Sequence, residues 1–402
     1  MYKEKITIWQ WLFIWLLLDS LILYMVRRYF FFPINSMLPF LVVIAHFIDQ
    51  RKNAIPIWLI GAMSMVGIGL LLGTLSGDPL WRNTKTFVTA VCGFIIGYRA
   101  VLTANDLRPF INLLGWIGLI YTMVCLLAIS GVNNTFFPVS YLEGYDDGVL
   151  VRRAEITTDQ NHQIYYLFPL LMVFSLKQPL LKAIGFTFFA LGAIYVAIKM
   201  ESRSGLLLLI VGLAMFTLLP AWYKEKRSLW RVVGVGVVGM IAVVFNLSLL
   251  QDSTDVVSRR FDSDNLVTLW ARIYSALFLY ERIWNPLWWF PRGLSTFFNE
   301  QGVFPHHAPT FIFLQAGLLG LVGWFILIGW PLFKSFKYIL TRKFCITEAT
   351  IMAGSLISFV ASLSLAVAMF EQVWLWGGAA HGVLMHYRRR VYRQKQHYRN
   401  KP

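Results

Sequence analysis

The residues best suited to chemistry in this chain are arginines and histidines lying between its apolar runs. The stretch 251–309 holds Arg259, Arg260, Arg272, Arg282 and Arg292, the adjacent pair His306-His307, and the indoles of Trp270, Trp284, Trp288 and Trp289. A guanidinium stays charged at any working pH and makes planar, two-pronged hydrogen bonds to oxyanions. An imidazole, with an unperturbed pKa of about 6.5, can take or give a proton near neutrality. Fixed positive charge beside a proton acceptor suits group transfer in which negative charge grows on a leaving group. Arg203 belongs with this set. In Glu201-Ser202-Arg203-Ser204-Gly205 it joins two apolar runs with almost no spacer. An ionisable side chain held at the edge of the hydrocarbon is a functional candidate by default.

The elements that must position these groups are membrane spans. Of the 402 residues, 57% are hydrophobic and 14% charged, and mean hydropathy is +0.61. Such a composition belongs to polytopic membrane proteins. A net charge of +16 would suit nucleic acid, but the apolar content argues against that partner. A spanning helix needs about 20 apolar residues. Twelve candidates are predicted: 8–26, 34–48, 55–75, 86–104, 109–130, 164–176, 181–199, 204–222, 229–249, 310–333, 346–367 and 372–386. The division that follows is spans one to nine in 1–249, a long loop at 250–309, three spans in 310–386 and a basic tail at 387–402. The fold class is thus all-α. The first run, which contains Asp19 and lacks a small-residue cleavage site, is expected to stay as an anchor.

Orientation follows from basic residues. With the N-terminus in the cytoplasm, 23 of the 36 Lys and Arg fall on cytoplasmic segments and 13 on outer ones. The bias places both termini inside. The tail from Arg388 to Lys401 is expected to meet anionic lipid headgroups. The outer cations recur beside glycine, asparagine and aromatic residues. Lys85 follows Asn83-Thr84 at the mouth of a span. Arg152, Arg153, Asn161 and His162 share the loop 132–163 with Asp146-Asp147-Gly148, which is read as a solvated turn. Within the long loop, Leu266, Leu269, Trp270, Ile273, Leu277, Tyr280 and Trp284 recur at helical spacing, with Arg272, Ser275 and Arg282 opposite. That pattern predicts an amphipathic helix along the membrane surface, ended by Asn285-Pro286. His306 and His307 stand before a helix in which Gly317, Gly320 and Gly323 should admit a close neighbour. Nearby positive charge should lower the imidazole pKa and keep the ring neutral. The expectation from these residues is a site for a lipid-linked diphosphate, built by this loop with Arg203. Cys92, Cys125 and Cys345 show no metal-ligand spacing and predict no disulfide.

Several segments resemble the O-antigen ligase family of bacterial inner-membrane proteins. They are Glu201-Ser202-Arg203-Ser204-Gly205-Leu206-Leu207, Asn265 to Ile273, Asn83-Thr84-Lys85, and His306-His307 followed by Gln315-Ala316-Gly317-Leu318-Leu319-Gly320. The family pattern has His-Asn at the head of the tenth helix with a glycine eleven residues after the histidine. Counting back from Gly317 gives His306, and His307 stands at the asparagine position. Gln315 stands where a glutamate is common.

The resemblance implies a metal-independent, inverting glycosyltransferase of the GT-C-like kind, without a cofactor, acting on the periplasmic side of the inner membrane. Its donor would be O-antigen on undecaprenyl diphosphate, and its acceptor a sugar hydroxyl of lipid A–core. Arg203, Arg260 and Arg272 are the first choices for the diphosphate, with Arg152 and Lys85 behind them. His306 is the candidate general base, and His307 and Arg259 are secondary candidates. Headgroup binding alone would account for Arg282 and Arg292, and for Arg259. A Wzy-type O-antigen polymerase shares these signatures. A lipid-linked saccharide transporter would instead favour ionisable groups near the midplane. A non-enzymatic membrane scaffold gives no reason for arginines in successive outer loops.

Overall fold

Apolar sequence with glycine at intervals dictates long helices that pack closely, and the computed structural model is built from them. It describes residues 6–18, 34–49, 54–76, 80–129, 140–146, 149–155, 212, 219, 267–294, 299, 305, 307–363 and 371–399. The helices are α1 (Ile8–Leu18), α2 (Ile34–Ile48), α3 (Ile57–Thr74), α4 (Leu80–Leu102), α5 (Arg108–Ile129), α6 (Val267–Arg282), α7 (Ala308–Trp324), α8 (Trp330–Leu340), α9 (Ile346–Ser362) and α10 (Glu371–Arg399). A π-helical turn, Phe325–Gly329, makes α7 and α8 continuous. Among the described residues, Ile57–Thr74, Asn83–Leu102 and Ala308–Leu340 are long and apolar enough to cross a membrane. Four further apolar helices are shorter. The expected spans at 164–176, 181–199, 204–222 and 229–249 lie outside the described residues, apart from the isolated positions 212 and 219.

The chain forms two units. The first comprises Met1–Leu16, Pro33–Leu107 and Thr268–Pro402, and the second Leu17–Phe32 and Arg108–Val267. The second carries α5 and a departure from an all-helical reading. Strands β1 (Ser140–Asp146) and β2 (Val149–Glu155) pair antiparallel, with Asp146 opposite Val149. In the sequence the two strands are separated by Asp147-Gly148, a composition that favours hairpins. The two strands were not expected from the sequence, and Asp147-Gly148 of the expected turn lie outside the described residues. Their apolar residues are too few and too short a run to stand out beside the long apolar segments of the chain.

In the first unit, glycines set the packing. A Cβ on Gly69 or Gly73 of α3 would strike the carbonyls of Ala316 and Gln315 on α7, and one on Gly323 would meet the Ala62 carbonyl. The pairing order makes α3 and α7 antiparallel. On α4, Gly93 and Gly97 face the Glu371 and Leu375 carbonyls, while Gly378 and Gly382 of α10 face those of Phe94 and Tyr98. These two helices are parallel, and α10 begins level with the middle of α4. Small residues on both partners let backbones approach without a hydrophobic driving force. Between the helices, Trp374 and Trp376 are fully buried. Trp376 meets Phe13 edge to face at 5.2 Å.

Two sequence expectations change here. Of the three glycines in α7, only Gly323 meets another helix, since Gly320 faces Ala316 of its own helix and Gly317 a loop. The residues expected as the last span and as the basic tail form one helix, α10, which runs without a break from Glu371 to Arg399.

Candidate active site

The site is assembled where α6 docks on the start of α7. α6 places Ser275 and Phe278 inward, and leaves Ile273, Tyr274, Leu277, Tyr280 and the following Trp284 exposed. The apolar side chains of Ile273, Leu277 and Tyr280 thus face out of the protein, while Ser275 and Phe278 meet it. Ser275 is fully buried, and its carbonyl accepts a 2.6 Å hydrogen bond from the Thr310 hydroxyl. His307 precedes α7 with extended backbone and Pro309 in the first turn. Proline fits there because its missing N–H would have no helical partner.

His307 Nδ1 lies 2.8 Å from Thr310 Oγ1. A threonine hydroxyl has one proton, and here it goes to Ser275. The contact to His307 is therefore Nδ1–H donating to the Thr310 oxygen. In a neutral imidazole this leaves the lone pair on Nε2. Burial pulls the His307 pKa from 6.5 down to about 4, because desolvation disfavours the charged ring. The ring is neutral at pH 7, as expected, but burial is the cause rather than neighbouring cations.

A backbone break below the histidine fixes the approach of the loop that follows α6. Gly317 has φ 67° and ψ −169°, a region essentially confined to glycine. The break frees the Leu314 carbonyl, which accepts from the Arg292 and Gly293 amides at 3.0 Å. The Leu318 amide donates to the Trp289 carbonyl at 2.9 Å. Ser76, just after α3, donates to the Pro291 carbonyl at 2.7 Å. The aromatic loop is thus stitched into a helix instead of lying on it. Within the loop, Arg282 stacks over Trp288 at 5.0 Å and Arg292 over the same ring at 5.6 Å. Arg292 also donates to the Leu287 carbonyl at 2.6 Å. These two arginines, for which headgroup binding alone would account, brace Trp288.

The remaining candidates are placed as follows. Arg272 lies in α6, one turn before Ser275. Lys85 is exposed near the start of α4. Two residues earlier, Asn83 is buried and its amide reaches the Leu70 carbonyl at 3.5 Å. Arg152 is in β2, in register with Glu143, in the second unit. Arg203, Arg259, Arg260 and His306 lie outside the described residues. No group of three or more His, Cys, Asp or Glu side chains able to hold a metal ion stands together among the described residues. Sequence reasoning missed Thr310 and the part played by the Ser275 carbonyl. A threonine three residues after a histidine was the available signal, but its partner is far away in the chain.

No family profile matches the chain, and no solved structure does. A curated relative does: the O-antigen ligase of Salmonella typhimurium is 22% identical over 352 residues, spanning 73% of this chain and 81% of its own length. The apolar helices mark a membrane protein. The likeness to this relative, at low identity, agrees with the resemblance of the ordered motifs to the O-antigen ligase family.

Proposed function

We propose that the protein transfers polysaccharide from undecaprenyl diphosphate to a sugar hydroxyl of lipid A–core, at the outer face of the bacterial inner membrane. The observation that carries this reading is the half-buried, neutral His307, whose ring is held by Thr310 so that Nε2 is the proton acceptor. The acceptor oxygen attacks the anomeric carbon as the bond from that carbon to the diphosphate oxygen breaks. The bonding pair leaves on undecaprenyl diphosphate, the hydroxyl proton passes to imidazole, and the anomeric centre inverts. Arg203, Arg260 and Arg272 hold the diphosphate and stabilise its growing charge, with Arg152 and Lys85 in support.

An imidazole of pKa about 4 is a weak base by itself. A bound diphosphate brings negative charge that raises it again. Proton uptake is thereby coupled to donor binding. His306, which fits the family spacing, is the competing base. The geometry of its neighbour favours His307.

Reconstitution with undecaprenyl-linked polysaccharide and purified lipid A–core tests this reading. Transfer in detergent without ATP is expected, and its absence would remove the ligase assignment. Arg203→Ala should leave the protein inserted and abolish transfer. A deletion strain should carry bare core and retain complete polymer on the lipid carrier. Core capped by a single repeat would instead mark a polymerase.

A further inference from the structure

At the opposite end of the first unit from His307 lies a second concavity. α3 and α4 form a hairpin, so Thr74 and Leu80 share the end at which Ser76 meets the Pro291 loop. Leu102 therefore lies at the other end, and parallel α10 carries its arginines there. A cavity of about 600 Å³ opens between them, lined by Leu102, Thr103, Asn105, Arg389, Arg390 and Arg393, among others. None of its lining residues is acidic.

Arg390 is the fixed wall. Its guanidinium donates to the buried Glu348 carboxylate at 2.7 Å and to the Lys343 carbonyl at 3.0 Å. His386 holds the other Glu348 oxygen at 2.9 Å. Glu348 also caps α9, accepting from the Cys345 amide at 2.9 Å. This arrangement anchors the turn of α10 that faces the cavity. Arg389 and Arg393, four residues apart, lie on one face of that helix. Leu102 and Ala104 add an apolar side to the wall, at the foot of a helix apolar enough to span a bilayer.

We propose that this cavity binds the phosphate headgroup of an anionic membrane lipid. Arginines supply oxyanion recognition, and the apolar wall at the end of a span suits the glycerol and first methylenes of a lipid. A free phosphate would leave that wall unused. The site is independent of the transfer chemistry proposed above.

The test is native mass spectrometry of the full-length protein in neutral detergent, with phosphatidylglycerol or phosphatidylcholine added. Phosphatidylglycerol should be retained preferentially. Arg393→Gln, at an exposed side chain, should lower that preference about fivefold. Arg389→Gln with Arg393→Gln should bring it close to parity, and Lys395→Gln, outside the cavity, should leave it unchanged. Full selectivity in Arg393→Gln would overturn the proposal. So would an equal loss in Lys395→Gln, which would indicate diffuse attraction to the tail. Displacement of phosphatidylglycerol by millimolar inorganic phosphate would assign the cavity to a soluble phosphate instead.

Discussion

The hydroxyl of Thr310 donates to the carbonyl of Ser275 across 2.6 Å, tying the turn that carries His307 to the helix that carries Arg272. One hydrogen bond thus sets both a tautomer and the spacing between two elements of the candidate site. Thr310→Val keeps the shape and removes the proton. Turnover is expected to fall roughly 10- to 100-fold as the ring loses its orientation, with KM little changed. Thr310→Ser should restore most of it. Steady-state transfer kinetics on the reconstituted enzyme check both variants, and normal turnover in the valine variant would separate Thr310 from the chemistry.

The two histidines are distinguished by single substitutions. His307→Gln is expected to reduce kcat by roughly 10²–10⁴-fold, the range for loss of a general base. His306→Gln should have the smaller effect. The reverse order, measured in the same assay, would move the base to His306.

Acid stability reports the burial of His307. The folded protein keeps the ring neutral down to about pH 4, whereas the unfolded chain takes the proton near 6.5. Between these values the unfolded state binds more protons. The stability linked to His307 is therefore complete above about 6.5 and is lost as the pH falls toward 4. Its size is on the order of 2 kcal/mol after allowance for partial exposure. Thermal unfolding in detergent should show a shallower acid loss in His307→Gln than in the parent.

Gly317→Ala should destabilise the protein by about 1–3 kcal/mol through backbone strain alone. The new methyl would also strike the Trp289 carbonyl. Gly61, in α3, has open space around its Cβ position, so Gly61→Ala should be neutral or stabilising by up to about 1 kcal/mol. Thermal melts of the two variants in one detergent make the comparison.

Arg272→Lys tests whether a two-pronged contact is needed. Lysine keeps the charge but not the planar fork, so transfer should fall with the protein still inserted. Near-normal transfer would make Arg272 a surface anchor.

Much of the layout was legible in the chain alone. Hydropathy is a local property, so α2, α3, α5 and the helix head at Ala308 appear within a few residues of their expected bounds. Periodicity gave α6 and its exposed apolar stripe in the same way. The residue types also limited what chemistry was feasible, since a guanidinium stays charged almost wherever it is placed and an imidazole is able to exchange a proton, but the fold set the proton affinity of His307. Tertiary structure decided which groups meet. That His307 faces Thr310, that Thr310 spends its proton on Ser275, and that Arg282 and Arg292 clasp Trp288 all depend on contacts between separate elements. Gly317 shows the difference most clearly. In the sequence it is one of three evenly spaced small residues, and only its positive φ, where a loop meets the helix, gives it a separate task. Hydrogen bonds and burial are pairwise properties of a folded chain, and a linear pattern does not contain them.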